Sequence, residues 1–295
     1  MGRKGVVLTI GVFDGFHRGH RSLVRETVRL ARRGKAKAAA LTFTNHPLNV
    51  LHHEGRVAFL VPRRETYAAL QGAGIDRVLA VPFTRRYACQ TPERFVGRLV
   101  RRLGLKAVVV GANFRFGAGN RGDIGTLERL GRRFGFRVCA VRLRGGRGGV
   151  SSSRIRKALR SGRVEEANRM LGRPFHISGR VTKGRHVGRR MGYPTANLTD
   201  LRCFVPKEGI YACSVLVGRR TYRGGLDLGT RPTIRKGDHR LRAEVHLIGF
   251  RGSLYGRRIE IRLLRYLRPE RRFHSMGALA RQIRRDIVAI RRTRG

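Results

Sequence analysis

Apolar runs and helical periodicities alternate along the first half of the chain. The run Val6–Ile10 predicts a buried strand, and the apolar spacing over residues 23–31 predicts a helix directly after it. Four further apolar runs predict strands with helical segments between them, at residues 38–43, 77–81, 107–110 and 138–141. Alternating strands and helices are typical of a parallel sheet with helices on both faces. We therefore expect an α/β domain over residues 1–172.

The pattern changes after Pro174, where Gly and Pro turns separate short β-like runs at residues 176–182, 210–217, 243–250 and 258–264. Such runs predict an antiparallel barrel or sandwich over residues 173–295. A C-terminal helix over 275–293 is expected to follow, because Ser275 can cap an apolar stripe at helical spacing. We expect this stripe to be core that packs against the barrel, and it consists of Met276, Leu279, Ile283, Ile287 and Ile290.

The turn between the first strand and the first helix, Gly11–His20, carries two histidines spaced His-x-x-His. An open α/β sheet binds phosphate at this turn, because helix-start amides attract anions and glycines such as Gly15 and Gly19 allow close approach. An imidazole there can donate hydrogen bonds to a triphosphate. A metal pair or plain surface histidines are the alternatives. The strand, the two glycines and the helix together favour a phosphate site built on His17 and His20.

The composition allows a packed core and carries an abnormal charge. Of 295 residues, 41% are hydrophobic, and 66 basic residues against 18 acidic ones give a net charge of +48. Such a surface attracts nucleic acid whatever its fold. However, 58 of the basic residues are arginines spread over the whole chain, and the one RGG-like stretch, 144–149, is short. We therefore expect compositional drift as the cause, and contacts with nucleic acid that are non-specific and electrostatic.

The chain shows no pattern typical of targeting or membrane insertion. No apolar run approaches the length of a membrane span, and the first run leads directly into the histidine turn instead of a signal-peptide cleavage site. The four cysteines form no Cys-x-x-Cys pair, which disfavours a zinc or redox site and indicates reduced thiols. These features predict a cytoplasmic protein without a membrane partner, and leave open whether it is a monomer or a homo-oligomer.

Ten short motifs occur in order along nearly the whole chain. Four lie in the first part: GVFDGFHRGH (11–20), TFTNHPLNVL (42–51), GANFRFGAGNRGD (111–123) and SSSRIR (151–156). Six lie in the second: GRRMGYPTANL (188–198), GIYA (209–212), LGTRPT (228–233), EVHLIGF (244–250), LYG (254–256) and LRPERRF (267–273). In these motifs the chain resembles the bacterial bifunctional riboflavin kinase/FMN adenylyltransferase (FAD synthetase) family.

The resemblance implies two domains and two reactions. A Rossmann-like nucleotidyltransferase domain would transfer AMP from ATP to FMN, which gives FAD and pyrophosphate. An antiparallel β-barrel riboflavin kinase domain with a C-terminal helix would first phosphorylate riboflavin to FMN with ATP. FMN and FAD are thus the implied intermediate and product, and riboflavin, FMN and ATP are the implied small-molecule partners.

The resemblance also implies the residues of the adenylyltransferase site. His17 and His20 would hold the triphosphate and stabilise the departing charge, which needs no covalent nucleophile. The ATP-binding positions would be Gly11, Phe13, Asp14, Gly15, His17, Gly19, His20, Ser151, Ser152 and Arg156. The positions at the flavin would be His46, Asn113, Phe114 and Phe116, with core packing as an alternative for the two phenylalanines and a strand-end turn for Asn113. Ser153 stands where the family usually has threonine, and keeps the hydroxyl.

In the kinase domain, Thr195 and Asn197 are two residues apart, so in an extended chain their side chains share one face. Both offer oxygen atoms of the kind that Mg²⁺ prefers, and by resemblance they are its ligands and bind nucleotide together with Gly184 and Gly188. A turn with local hydrogen bonds is the alternative. Glu244 matches the family's catalytic glutamate, and a carboxylate suits the base that takes the proton of the riboflavin hydroxyl.

One position departs from the family pattern and keeps alternatives open. The family commonly has Asn-Ile-Gly-x-Arg-Pro-Thr, whereas this chain has Asp227 in place of the asparagine. An anion at that position could weaken the kinase, so one alternative is that only one of the two activities is retained. A second alternative, from another class, is a basic RNA-binding protein built on a nucleotidyltransferase fold.

Overall fold

The computed structural model describes residues 5–51, 57–142, 149–183, 188, 192–201, 204–232 and 239–294. The chain divides into two compact units, Met1–Ser152 and Ser153–Gly295, so the division falls before the expected boundary at 172. Gly184 and most of the RGG-like stretch lie outside the described residues.

The first unit is built on a five-stranded sheet whose neighbouring strands all run parallel. The strands are β1 (Val6–Ile10), β2 (Lys37–Phe43), β3 (Arg77–Val81), β4 (Leu105–Gly111) and β5 (Arg137–Val141), in the order β3-β2-β1-β4-β5. The five strands predicted from the apolar runs are confirmed. Strand order reverses at β1, and ligands bind at such a switch point in open α/β sheets.

Helices cover both faces of this sheet, as expected. They are α1 (Arg18–Arg33), α2 (Leu48–Leu51), α3 (Arg63–Gly72), α4 (Arg85–Ala88), α5 (Pro92–Leu103) and α6 (Ile124–Phe134). Successive residues of a strand point to opposite faces. Accordingly, Leu8 of β1 belongs to one apolar core with residues of α5 and α6, whereas Val7 belongs to another with residues of α1 and α3.

The second unit is a closed six-stranded barrel in which all neighbouring strands are antiparallel. After α7 (Ser152–Arg160) and α8 (Val164–Leu171), its strands are β6 (Phe175–Thr182), β7 (Ala196–Thr199), β8 (Gly209–Val217), β9 (Arg220–Pro232), β10 (His239–Leu247) and β11 (Arg258–Arg268). The order around the barrel is β10-β7-β6-β11-β8-β9. The barrel prediction is confirmed, whereas β7 and β9 were not predicted and the strand expected at 243–250 lies at 239–247.

The C-terminal helix α9 (Met276–Arg292) begins where expected, because the Ser275 hydroxyl accepts a hydrogen bond from the Ala278 amide at 3.1 Å. Its apolar stripe, however, is not buried along its whole length, contrary to what the spacing predicted. Ile290 is 2% exposed, but Met276 is 57% exposed. The three residues between them, Leu279, Ile283 and Ile287, line a cavity. Among the described residues, no helix is both long and apolar enough to cross a membrane.

The central strand of the first unit offers a direct test of its packing. Leu8 is fully buried in β1, so Leu8→Ala is expected to lower the free energy of unfolding by about 3 kcal/mol through lost burial and the remaining cavity. Leu48→Ala is the matched control, because Leu48 is 39% exposed. Urea unfolding measures the free energy of unfolding of both variants, and equal losses of stability would contradict the placement of Leu8 in the core.

Candidate active sites

The histidine turn leaves β1 through a strained backbone. Phe13, Gly15 and Phe16 have φ angles of 52°, 76° and 43°, in the left-handed region that costs energy for residues other than glycine. The Phe13 side chain is fully buried and its ring meets the His20 ring edge-on at 5.3 Å, so only its backbone is left to contact a nucleotide. Strain of this kind persists only where the surrounding structure holds it.

His17 caps the first helix with its side chain. Its Nδ1 atom accepts a hydrogen bond from the backbone N–H of His20 at 3.3 Å. The proton of the neutral ring therefore lies on Nε2, which is a hydrogen-bond donor. His17 is only 3% exposed, and this burial lowers its pKa to about 4. The ring is thus neutral at pH 7.

His20 stacks on His17, with ring centroids 3.6 Å apart and planes at 17°. Burial lowers the pKa of His20 well below 6.5, and electrostatic interactions with His17 and Arg63 lower it further. Sequence reasoning missed Arg63, which gave no signal among so many arginines. Its guanidinium donates to the Val12 carbonyl at 2.9 Å and to the Thr42 hydroxyl at 2.6 Å, which ties α3 to the turn.

Two further contacts hold the turn in place. The Asp14 carboxylate accepts a hydrogen bond from the Leu60 amide at 2.8 Å, so this side chain is already engaged with the protein. The Ser152 hydroxyl donates to the Asp14 carbonyl at 3.0 Å, which places Ser152 beside the histidine turn. Arg156 is 6% exposed and belongs to the second unit.

A cavity of about 350 Å³ lies at the carboxyl end of the sheet in the first unit. Gly11, Phe114 and Phe116 line it, as do Phe43 and Tyr87, which sequence reasoning missed because they come from separate elements. Phe114 and Phe116 are stacked with centroids 5.4 Å apart. Burial raises the pKa of Tyr87 to about 12, so its hydroxyl keeps its proton. A flat aromatic ring fits such walls.

Two predicted flavin residues do not line this cavity. Asn113 is exposed in the turn that follows β4. His46 is 7% exposed and its Nδ1 atom accepts a hydrogen bond from the Leu48 amide at 3.3 Å, which is a turn contact. The structure thus separates the two aromatic residues at the cavity from the two polar ones beside it.

On the barrel, the strand register brings Glu244 and two other polar residues, Asn197 and Asp227, into one row. Glu244 of β10 is paired with Asn197 of β7 on one side and with Asp227 of β9 on the other. Directly opposed residues have side chains on the same face, about 5 Å apart at Cβ. The neighbours of Glu244 in β10, Ala243 and Val245, are buried inside the barrel. The row therefore lies on the outer face.

A cavity of about 550 Å³ adjoins this face of the second unit. Gly188, Thr195 and Glu244 line it, whereas Asn197 is not among the lining residues. Four residues of the α9 stripe line it as well: Leu279, Ile283, Ile287 and Ile290. Gly188 is in close contact with the backbone, since a Cβ atom there would lie 2.4 Å from the Tyr193 carbonyl oxygen. His246 is bonded through Nδ1 to the Pro194 carbonyl at 2.8 Å, which holds the Thr195 segment against β10.

Asp227 takes part in a cluster of charges in the same cavity. The Arg242 guanidinium lies 3.1 Å from Asp227 and 3.7 Å from Glu244, and it also contacts Glu270. Burial and the neighbouring carboxylates raise the pKa of Asp227 to about 7, although Arg242 opposes this shift. Sequence reasoning missed Arg242, which stands two residues before Glu244 and so shares its face of the strand.

A parallel α/β unit with stacked histidines at its switch point, followed by a closed antiparallel barrel with a polar row beside a cavity, is the architecture of a two-domain nucleotide-dependent transferase. Residues 2–154 match the family model described as FAD synthetase, and residues 171–293 match the one described as riboflavin kinase. The chain belongs to the bifunctional riboflavin kinase/FMN adenylyltransferase family. It carries both activities, the phosphorylation of riboflavin to FMN and the adenylylation of FMN to FAD, which confirms the predicted family and function.

Similar proteins cover almost the whole chain. The bifunctional riboflavin kinase/FMN adenylyltransferase of Escherichia coli K12 is 39% identical over 98% of this chain and 93% of its own length. That of Pseudomonas fluorescens is 38% identical with the same coverage. A crystal structure described as a macrolide-efflux protein from Streptococcus pneumoniae has a TM-score of 0.91 at 28% identity, and covers all of this chain and 96% of that one.

Because His17 is buried, we expect the stability of the folded chain to depend on pH. Unfolded His17 takes up a proton below about pH 6.5, whereas folded His17 does so only below about pH 4, so stability is lost as the pH falls between these values. The loss is expected to reach about 3 kcal/mol. Urea unfolding at pH 7.5 and 4.5 should show a smaller loss for His17→Asn than for the natural chain. His274→Asn, at an exposed histidine, should not reduce the loss, and an equal reduction there would contradict the assignment.

Proposed function

We propose that the histidine turn performs the adenylyl transfer by electrostatic stabilisation. An FMN phosphate oxygen forms the new bond to the α-phosphorus of ATP, and the bond from that phosphorus to pyrophosphate breaks. The neutral His17 ring donates from Nε2 to the charge that develops on pyrophosphate, and His20, stacked on it, serves the same anion. The observation that carries this proposal is the Nδ1 contact of His17 with the His20 amide, because it fixes the donor on Nε2.

The remaining residues of this site are proposed to bind and orient the substrates. Ser151 and Ser152 contribute hydroxyls to ATP, and the contact of Ser152 with Asp14 supports this location. Arg156 is proposed to clamp phosphate through its forked guanidinium. The 350 Å³ cavity is proposed to hold the isoalloxazine ring of FMN against Phe114 and Phe116. His46 and Asn113 are proposed to shape this pocket from beside it.

For the kinase, we propose Glu244 as the general base. It takes the proton from the riboflavin hydroxyl, whose oxygen then bonds to the γ-phosphorus of ATP as ADP leaves. Four of the five residues of the apolar stripe of α9 line the same cavity as Glu244, which supports riboflavin binding between them. Gly188, close to the Tyr193 backbone, is proposed to bind nucleotide phosphates, with Gly184 of the same segment.

Thr195 and Asn197 are proposed to hold Mg²⁺ with the phosphates of ATP. A hydroxyl in the cavity and an amide oxygen paired in register with Glu244 fit an ion that takes a few protein oxygens and completes its shell with phosphate and water. Among the described residues, no three His, Cys, Asp or Glu side chains group as a metal site. When bound, the ion would neutralise phosphate charge.

The boundary between the domains at residue 172 is also a proposal. It is supported by the two family matches: the FAD synthetase match ends at residue 154, and the riboflavin kinase match begins at residue 171. Cytoplasmic location and purely electrostatic contact with nucleic acid stay predictions.

Glu244→Gln tests the kinase assignment. It removes the base but keeps the size of the side chain, so FMN formation from riboflavin and ATP is expected to fall by at least about 100-fold, while FMN is still converted to FAD. Chromatography of the flavin products measures both steps. Glu260→Gln is the matched control, because Glu260 is an exposed acid of the same barrel that pairs with Arg262. Unimpaired FMN formation by Glu244→Gln would disprove the assignment.

His17→Asn tests the adenylyltransferase assignment. Asparagine can still cap α1, but the Nε2 donor is lost. FAD formation from supplied FMN is expected to fall by about 100-fold, the usual effect of removing one donor to a developing anion. FMN formation from riboflavin is expected to stay unchanged in the same variant, and His274→Asn should leave both steps intact. Normal FAD formation by His17→Asn would mean that His17 does not act on the leaving pyrophosphate.

A further inference from the structure

Arg242 lies between three carboxyl groups that belong to different segments of the second unit. Its Nη2 atom is 3.1 Å from Oδ2 of Asp227 and also contacts the Glu270 carboxylate. Its Nη1 atom is 3.7 Å from Oε1 of Glu244. A guanidinium can serve several carboxylates at once because its donors form a fixed fork. All four side chains line the 550 Å³ cavity.

The strand register explains how this contact arises. Arg242 precedes Glu244 by two residues, so both side chains lie on the outer face of β10. The residue paired with Arg242 on β9 is Gly229. A Cβ atom at Gly229 would come within 2.7 Å of a Glu270 carboxylate oxygen. The missing side chain therefore leaves room for Glu270 to reach Arg242.

The charges beside Glu244 need a partner of opposite sign. Asp227 is directly opposed to Glu244 across the β9–β10 pair, and like charges in such positions repel each other. Arg268 also lines the cavity, but it forms an ion pair with Asp286 at 2.7 Å. Within the described residues, Arg242 is the cation in contact with all three carboxyl groups.

We propose that Arg242 is a positioning residue of the kinase site that orients the Glu244 carboxylate and compensates the negative charge of Asp227. This inference rests on the proposed role of Glu244 as the base. It implies that residues 227 and 242 are energetically coupled, because an asparagine at 227 would need no such counter-charge. The aspartate in the LGTRPT region is then compatible with a working kinase.

A double-mutant cycle in the full chain tests the coupling, with FMN formation from riboflavin and ATP as the readout. Arg242→Gln is expected to lower kcat by about tenfold, because the three carboxyl groups then lose the cation that contacts all of them. Asp227→Asn alone is expected to change kcat by less than about threefold, and in the Arg242→Gln background it is expected to recover most of the loss. KM for riboflavin should change less than kcat, because the substitution disturbs the base Glu244 more than the apolar residues of α9 that are proposed to bind the flavin.

Arg242→Lys keeps the charge without the fork, and an intermediate kcat is expected. Arg262→Gln is the matched control, since Arg262 forms an exposed pair with Glu260 at 2.8 Å on the same barrel; it should leave kcat unchanged. The far-UV circular dichroism of each variant reports folding. Should Arg242→Gln fail to fold, Arg242→Lys takes its place in the cycle. The coupling is then tested by comparing kcat of Arg242→Lys with and without Asp227→Asn.

Two results would overturn the inference: full kcat in Arg242→Gln, or a loss that Asp227→Asn does not restore. Glu244→Gln in the same assay separates this inference from the assignment on which it rests. An active Glu244→Gln would show that Glu244 is not the base. An inactive Glu244→Gln together with a fully active Arg242→Gln would overturn only the role of Arg242.

Discussion

Closure of the barrel is the constraint on which the kinase site depends, because it fixes which side chains of β10 face inward. Ala243 and Val245 are buried in the interior, so the residues that alternate with them lie on the outer face. A shift of one residue in register would bury Glu244 and expose Val245, which the apolar interior forbids. Pairing with β7 and β9 then sets Asn197 and Asp227 beside Glu244. The polar row is thus a consequence of packing on the opposite face.

The adenylyltransferase site depends on burial in a different way. A chain with a net charge of +48 carries many cationic side chains. Hydrated surface arginines, however, attract a polyanion without orienting it. His17 contributes an oriented hydrogen-bond donor and not a positive charge. Burial keeps its ring neutral, and the hydrogen bond from the His20 amide to Nδ1 leaves the proton on Nε2. A preorganised donor in a dry site stabilises developing charge better than a mobile one in water. The strained turn, held by Asp14 and Arg63, provides that preorganisation.

The sequence predicted what strong periodicity encodes, and missed what only tertiary contacts create. The parallel sheet, the antiparallel strands of the second unit and the Ser275 cap follow from apolar spacing and cap chemistry, which are local, whereas spacing alone left a barrel and a sandwich open. Strands β7 and β9 are polar or glycine-rich, and they are strands because their neighbours pair with them. Residues such as Tyr87 and Arg242 come to their cavities from separate elements, so no motif marks them. The α9 stripe shows a further limit, since helical spacing cannot distinguish a face packed on core from a face that lines a cavity.

Asp227 shows that a departure from a family pattern has to be judged with its neighbours in space. In the sequence it stands alone as an anion where an amide is usual, fifteen positions before Arg242. In the barrel the two side chains are 3.1 Å apart. A chain so rich in arginine offers many positions at which a new acidic group can find a counter-charge, and only the register decides which of them do. The charge excess, which explains neither fold nor family, can thus supply a cation that keeps an aspartate beside the proposed base compatible with ionised Glu244.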